Sequence, residues 1–186
     1  MQDGLHSSRI QELLAASDGS LWVATAGGVS RWRDHRLELL VDPAVGSVRC
    51  QALAEDAQGR IWFGTDNGVA IFDGGKFQLK HPGGTTGPPV YDIQADREGV
   101  LVAAVNGLWR FSGSEKPQRL PLPPGIAPDN LRALAVTAEG LWLGTFSNGV
   151  WLRNDSGWMA APGLSPAARS IYPVSYTHLR AHETVL

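Results

Sequence analysis

The chain has 186 residues, 43% of them hydrophobic and 8% aromatic, which suits a packed domain and excludes a disordered one. A formal net charge of -2 with a pI near 6.2 gives no overall basic field, so nucleic acid and anionic lipid are not expected partners. Cys50 is the sole cysteine, which rules out an intrachain disulfide and a cysteine-based zinc site, and no apolar run reaches the ~20 residues that cross a bilayer. The opening MQDGLHSSRI lacks the basic and apolar regions of a secretion signal.

In chain order, four similar units follow one another. Each begins with a short apolar strand: IQELLAA, CQALAED, VYDIQAD and LRALAVT. A second strand is predicted at Leu21–Thr25, Ile61–Thr65, Leu101–Val105 and Leu141–Thr145, and each ends in turn chemistry: AGG, DNG, NG or SNG. GVSRW, GVAIF, GLWRF and GVWLR supply a third strand rich in branched and aromatic residues. A weaker fourth follows at Arg36–Val41, Lys76–Lys80, Pro117–Leu122 and Gly157–Pro162, where the prolines of the last two suit an outer edge. Aligned on Trp22, Trp62, Val102 and Trp142, the units recur every 40 residues.

Four antiparallel strands per 40 residues is one blade of a β-propeller. The dense Gly, Thr and Trp argue against a helical repeat, and a parallel β-helix would need shorter rungs. The expected fold is all-β: a β-propeller fragment of four four-stranded blades plus the start of a fifth, with the ring not closed. The blades are expected at about 9–42, 49–81, 90–122 and 131–162, with the next starting at 167–173, inside a partial propeller spanning 1–173. The Pro- and Gly-rich stretches between them are surface connections rather than domain linkers.

Most candidate chemistry in the sequence has a structural reading. His178 and His182 have the i, i+4 spacing of two metal ligands, but Leu179 stands where a zinc protease needs its Glu base. His6, His35 and His81 are isolated and expected to be solvated. HPGGTTGPP lacks the Gly-Lys-Ser/Thr ending of a phosphate-cradling loop and opens no helix. No Ser/His/Asp set assembles, so the chain is not expected to be an enzyme; no metal or cofactor is expected either. Trp22, Trp62 and Trp142 are expected between blades. Burial of ~150–250 Å² each at ~25 cal/mol/Å² amounts to about 4–6 kcal/mol before entropy.

A better functional column lies eight residues before the glycines Gly19, Gly59, Gly99 and Gly140: Gln11, Gln51, Tyr91 and Arg132, with Arg169 next by alignment. On the inner strand of a blade these side chains would ring the central channel, and amides, a phenol and guanidinium groups suit a hydroxylated or anionic small ligand, a glycan included. They also fit simple water-lining alternates to Ile10, Cys50, Val90 and Leu131. The turn residues Asp66, Asn67, Asn106 and Asn148 are further binding candidates.

The units DGSLWVATAGGV, QGRIWFGTDNGV and EGLWLGTFSNGV, with the opening QDGLHSSRI, resemble the repeats of the two-component regulator propeller family. The third copy departs most, with Ala103–Ala104–Val105 in place of the family's I-G-T. The resemblance implies the extracytoplasmic, periplasmic propeller of a bacterial signal-transduction receptor anchored in the inner membrane. The complete protein would add further blades, a Tyr-rich β-domain, a membrane span and a histidine kinase or diguanylate cyclase. The alternatives are a soluble propeller lyase or hydrolase, or a protein-interaction propeller. VSYTHLRAHET (174–184) resembles a translated transposase sequencing adapter, so 174–186 is expected to be a non-native tail; a natural C-terminal helix is the alternative.

Overall fold

Threonines close the central hairpin of three of the four units. Thr25, Thr65 and Thr145 are fully buried, and their hydroxyls donate to the carbonyls of Gly28, Gly68 and Gly149 at 2.8, 2.9 and 2.7 Å. The same hydroxyls accept the amides of Gly27, Asn67 and Asn148, so none of these three hydroxyls is left unpaired. Gly68, at φ +95°, has no room for a side chain: a Cβ would meet the Lys80 carbonyl oxygen at 2.7 Å.

The computed structural model describes residues 4–84, 86–113, 116–161, 171–173 and 179–181. Strands β1 (Ile10–Ala15), β2 (Leu21–Thr25), β3 (Gly28–Arg33) and β4 (Arg36–Leu39) form blade 1. Blade 2 is β5 (Cys50–Glu55), β6 (Ile61–Thr65), β7 (Gly68–Asp73) and β8 (Lys76–Lys80). Blade 3 is β9 (Val90–Asp96), β10 (Gly99–Ala104), β11 (Gly107–Phe111) and β12 (Gln118–Leu120). Blade 4 is β13 (Leu131–Thr137), β14 (Gly140–Thr145), β15 (Val150–Asn154) and β16 (Gly157–Ala160). Every sheet is antiparallel in sequence order, as a propeller requires.

Inner strands β1, β5, β9 and β13 stand side by side around the channel, and β17 (Ile171–Pro173) adjoins β13 where a fifth inner strand is expected. β17 pairs with β18 (Leu179–Ala181), so those three residues of the tail are strand rather than the alternative helix. His178 and His182 lie outside the described residues.

Apolar clusters sit between the blades. Trp22, Leu53, Ile61 and Phe63 fill the space between blades 1 and 2. Trp62, Val69, Val100, Val102 and Phe111 fill that between 2 and 3, and Leu101, Leu108, Leu134 and Leu143 that between 3 and 4. Gly64 lets blades 2 and 3 approach, since a Cβ there would meet a Val90 methyl at 2.8 Å.

The register corrects the repeat alignment. Trp22, Trp62 and Trp142 lie opposite Arg31, Ile71 and Leu152 of the third strands, and the matching pair in blade 3 is Leu101 with Arg110. Leu101, not Val102, therefore occupies the tryptophan position. The cause is a shorter first turn: only Arg97 and Glu98 separate the pair Asp96 and Gly99, whereas Ala57, Gln58 and Gly59 separate Asp56 from Arg60.

Candidate functional site

Backbone bonds bring the turns between second and third strands to the starts of the inner strands. The amides of Ala26, Asp66, Val105 and Phe146 donate to the carbonyls of Arg9, Arg49, Pro89 and Asn130 at 3.0, 3.1, 2.9 and 2.8 Å. The inner-strand column and the turn candidates thus share one end of the arc, here called the mouth.

Each described column residue is the extra residue of a β-bulge. The ladder passes from Cys50 opposite Thr65 to Ala52 opposite Gly64, leaving Gln51 unopposed, and it skips Gln11, Tyr91 and Arg132 in the same way. A bulge re-aims its side chain out of the pleat, which suits a residue facing a channel. All four are partly buried. Arg169 lies outside the described residues.

The bulge side chains join neighbouring blades. Gln51 Nε2 donates to the Val90 carbonyl of blade 3 at 2.9 Å and lies 3.4 Å from Asp66 Oδ1. The Arg132 guanidinium stands 4.3 Å from the ring centre of Tyr91 and 5.1 Å from that of exposed Phe146, within cation–π range of both. Its Nη1 donates to the carbonyls of Asp129, at 2.8 Å, and Leu131. Asn148 Oδ1 accepts from Asn130 Nδ2 and from Ser147 Oγ, the latter at 3.1 Å. Tyr91, Arg132, Phe146 and the Asn130–Ser147–Asn148 group therefore form one continuous patch across blades 3 and 4. The exposed side chains of Asp66 and Asn67 stand at the mouth of blade 2. Asn106 uses both ends of its amide internally, donating to the Pro82 carbonyl at 2.8 Å and accepting from Trp109 Nε1 at 2.9 Å.

Two carboxylates escaped the sequence reading although they follow column residues directly. Glu12 Oε2 accepts the Leu53 amide of blade 2 at 2.6 Å, and Asp92 Oδ2 accepts the Leu134 amide of blade 4 at 2.6 Å. Removal from water raises Glu12 to a pKa of about 7, the Asp92 charge adding to the effect and the Leu53 amide opposing it. Burial also raises Asp92 to about 7, against the hydrogen bonds from Leu134, Ile93 and Gln94. The available signal was an alternation at one repeat position: Glu12, Ala52, Asp92, Ala133.

Other candidates resolve structurally. Burial pushes the Cys50 thiol well above its ordinary pKa, so it is no nucleophile. His6 and His81 are not solvated as expected: buried His6 Nε2 and His81 Nδ1 have no hydrogen-bond partner among the described residues, and the rings pack against Gly28 and Gly68. Among the described residues no group of three or more His, Cys, Asp or Glu could hold a metal ion.

At the opposite end of the blades, acids in the first turns clasp arginines. Asp18 takes Arg31 at 2.6 Å, Asp56 takes Arg60 at 2.7 Å, and Asp96 and Glu98 take Arg110 at 2.8 and 2.9 Å. A cleft of about 760 Å³ opens there between blades 2 and 3.

Residues 44–67, the second copy, match the family described as two component regulator propeller. No curated protein matches the sequence. Among solved structures, the chain is similar to the extracellular domain of what is described as a hybrid two component system, BT3049 from B. thetaiotaomicron. The TM-score is 0.79 at 19% identity, over 94% of this chain and 26% of that one. It is similar to virginiamycin B lyase from Staphylococcus aureus, with TM-score 0.69, 18% identity, and 90% and 61% of the two chains covered. A computationally designed protein, Ika8, gives 0.67 at 17% identity over 92% and 55%. The chain spans about a quarter of the BT3049 domain. It is an arc of β-propeller blades in which residues 44–67 match the two component regulator propeller model, and it shares its fold with the BT3049 extracellular domain.

Proposed function

We propose that this arc is part of the extracytoplasmic, ligand-sensing propeller of a bacterial two-component or related signal-transduction receptor, and that it carries no catalytic step itself. The observation that supports this reading most is the gathering of bulge residues and turn residues at one mouth, on a chain that carries the two-component regulator repeat. Tyr91, Arg132 and Asn148 present a phenol, a guanidinium and an amide on one patch, which suits a hydroxylated or anionic small ligand. A ligand there signals by favouring one arrangement of the complete receptor over another, and it does so only through a difference in affinity between them. Gln51 and Arg132 reach the neighbouring blade or its aromatic ring, so occupancy at the mouth acts on how blades meet.

The likeness to virginiamycin B lyase supports a second reading, a soluble propeller enzyme whose catalytic residues lie in other blades. The reading frame downstream of Pro173 in the source genome separates the two. A membrane span followed by a kinase or cyclase is the expected result, and a frame that ends after the last blade overturns the receptor reading.

A further inference from the structure

Two of the three inter-blade junctions are wedged by an aromatic ring on the outermost strand, and the third is not. In blade 2 the row Ile61, Phe72, Phe77 runs across three strands, with Phe77 5.0 Å from Phe72 and 5.8 Å from Phe63, against the cluster shared with blade 1. In blade 4 the corresponding row is Leu141, Arg153, Trp158, and Trp158 donates its indole N–H to the Pro121 carbonyl of blade 3 at 3.0 Å. In blade 3 the row is Val100, Phe111, and there it stops. β12 begins at Gln118, opposite Arg110, so Pro117 stands where the wedge would be, outside the ladder. Proline has no amide to extend that ladder inward. The cleft of about 760 Å³ between blades 2 and 3 is lined at this place by Pro117, Phe111, Trp62, Ile71, Gln78 and Lys80. Trp62 and Phe111 meet edge to face at its base, with ring centres 5.3 Å apart.

The charges around the cleft are unevenly engaged. Asp56 is held by Arg60, and Asp96 and Glu98 by Arg110. Arg97, Lys80 and Lys116 also line the cleft with no carboxylate within ion-pair distance among the described residues, and Asp73 lines it with no cation within that distance. The space therefore lacks a flat ring, which the neighbouring junctions supply from their own chain, and among the described residues it holds more unpaired cations, Lys80, Arg97 and Lys116, than unpaired carboxylates, Asp73 alone.

We propose that the cleft between blades 2 and 3 is a second binding site, for a small aromatic carboxylate whose ring takes the place of the missing wedge and whose anion meets Lys80. Its ring position, beside Pro117 and Phe111, lies toward the end of the blades opposite Tyr91 and Arg132, with Lys80 further along β8 opposite Val69, and it does not depend on a sensing role for the mouth.

Saturation-transfer NMR on the intact chain with benzoate as probe, and benzyl alcohol as its uncharged counterpart, tests the assignment. Benzoate is expected to receive saturation and benzyl alcohol several-fold less. Pro117→Phe, which supplies the wedge from the chain, is expected to abolish the benzoate signal while melting no lower than the parent. Lys80→Gln, an exposed change that leaves the wedge position alone, is expected to weaken benzoate at least threefold, and Arg132→Ala at the mouth to leave it unchanged. Equal signals from the two probes, undiminished benzoate binding in either cleft variant, or loss of binding in Arg132→Ala would overturn the proposal.

Discussion

Asp56 accepts the indole N–H of Trp62 at 2.7 Å, and the same carboxylate takes the Nε of Arg60 at 2.7 Å. At the matching position Thr137 serves Trp142 at 3.0 Å, but blade 1 has Ala16, and Trp22 Nε1 and Arg31 Nε are buried with no partner among the described residues. Two orphaned donors beside one alanine make Ala16→Asp a stabilising change. A gain of roughly 1–2 kcal/mol is expected, a hydrogen bond to a charged group being worth about 1.5–3 kcal/mol before the carboxylate's own desolvation is charged against it. Urea unfolding of parent and variant measures it, and a lower midpoint for Ala16→Asp would show that the alanine pocket has no room for the clasp.

Trp62 tests whether the tryptophan column is core. It is 3% exposed and packs edge to face on Phe111. Trp62→Ala should cost about 3–5 kcal/mol, with Asp56 losing a donor in addition. A variant that unfolds at the parent's midpoint but fails to bind ligand would reassign the column from packing to recognition.

The carboxylates between blades set an acid-side dependence. Glu12 and Asp92 have folded pKa values of about 7 against ordinary values of 4.5 and 3.8, so between those limits the folded chain holds protons that the unfolded chain releases. Their contribution is complete below the unfolded values and is lost as pH rises through about 7. Asp56 and Asp18 run the other way. Burial alone would raise Asp56, but the bonds from Trp62 and Arg60 lower it, and bonds from Ser20 lower Asp18, so both withdraw support in more acidic solution, below the ordinary carboxylate value. Denaturant midpoints are therefore expected to rise from pH ~7.5 to ~5 in the parent, and to rise less in Glu12→Gln and Asp92→Asn. An equal rise in all three proteins would place the titrating group elsewhere.

Open sides carry a cost in solution. Leu13, Trp32 and Leu39 are 54, 43 and 42% exposed on the side of blade 1 away from blade 2, and Met159 of blade 4 is 52% exposed. Expression of residues 1–173 is expected to give self-associating or marginally stable protein, with light scattering that grows with concentration and falls in Leu13→Lys/Leu39→Lys. A cooperative melt of a monomer at high concentration would contradict this.

Arg132 separates recognition from stability at the mouth. Its guanidinium is partly exposed and stacked rather than paired with an acid. Arg132→Ala should change stability by less than about 1 kcal/mol, since partly exposed stacking contributes ~0.5–1 kcal/mol, while, on the receptor function proposed above, removing the response to an anionic ligand. A signalling output that survives the substitution would move the recognition site away from Tyr91 and Arg132.

The blades were legible because their chemistry is local and repeated: a Gly-Thr step, a tight turn, a branched strand. Gly64 and Thr65 have one structural role each, and the sequence displays it wherever the residues recur. The one-residue slip in blade 3 was hidden because Val102 is as apolar as Leu101, and only the ladder distinguishes them. Glu12 and Asp92 were missed for a related reason. Their partners, the amides of Leu53 and Leu134, are about forty residues away, and a backbone donor leaves no mark in composition. The unfilled junction at Pro117 is likewise a property of two blades together.

The bulges of the inner strands have a consequence for how such a protein diversifies. Gln11, Gln51, Tyr91 and Arg132 are the residues that their ladders skip, so a change of side chain there breaks no strand pairing. Each blade thus carries one address that mutation can rewrite without altering a strand ladder. A lineage can retune what gathers at its mouth one letter per blade, while the buried threonines and glycines between stay as they are.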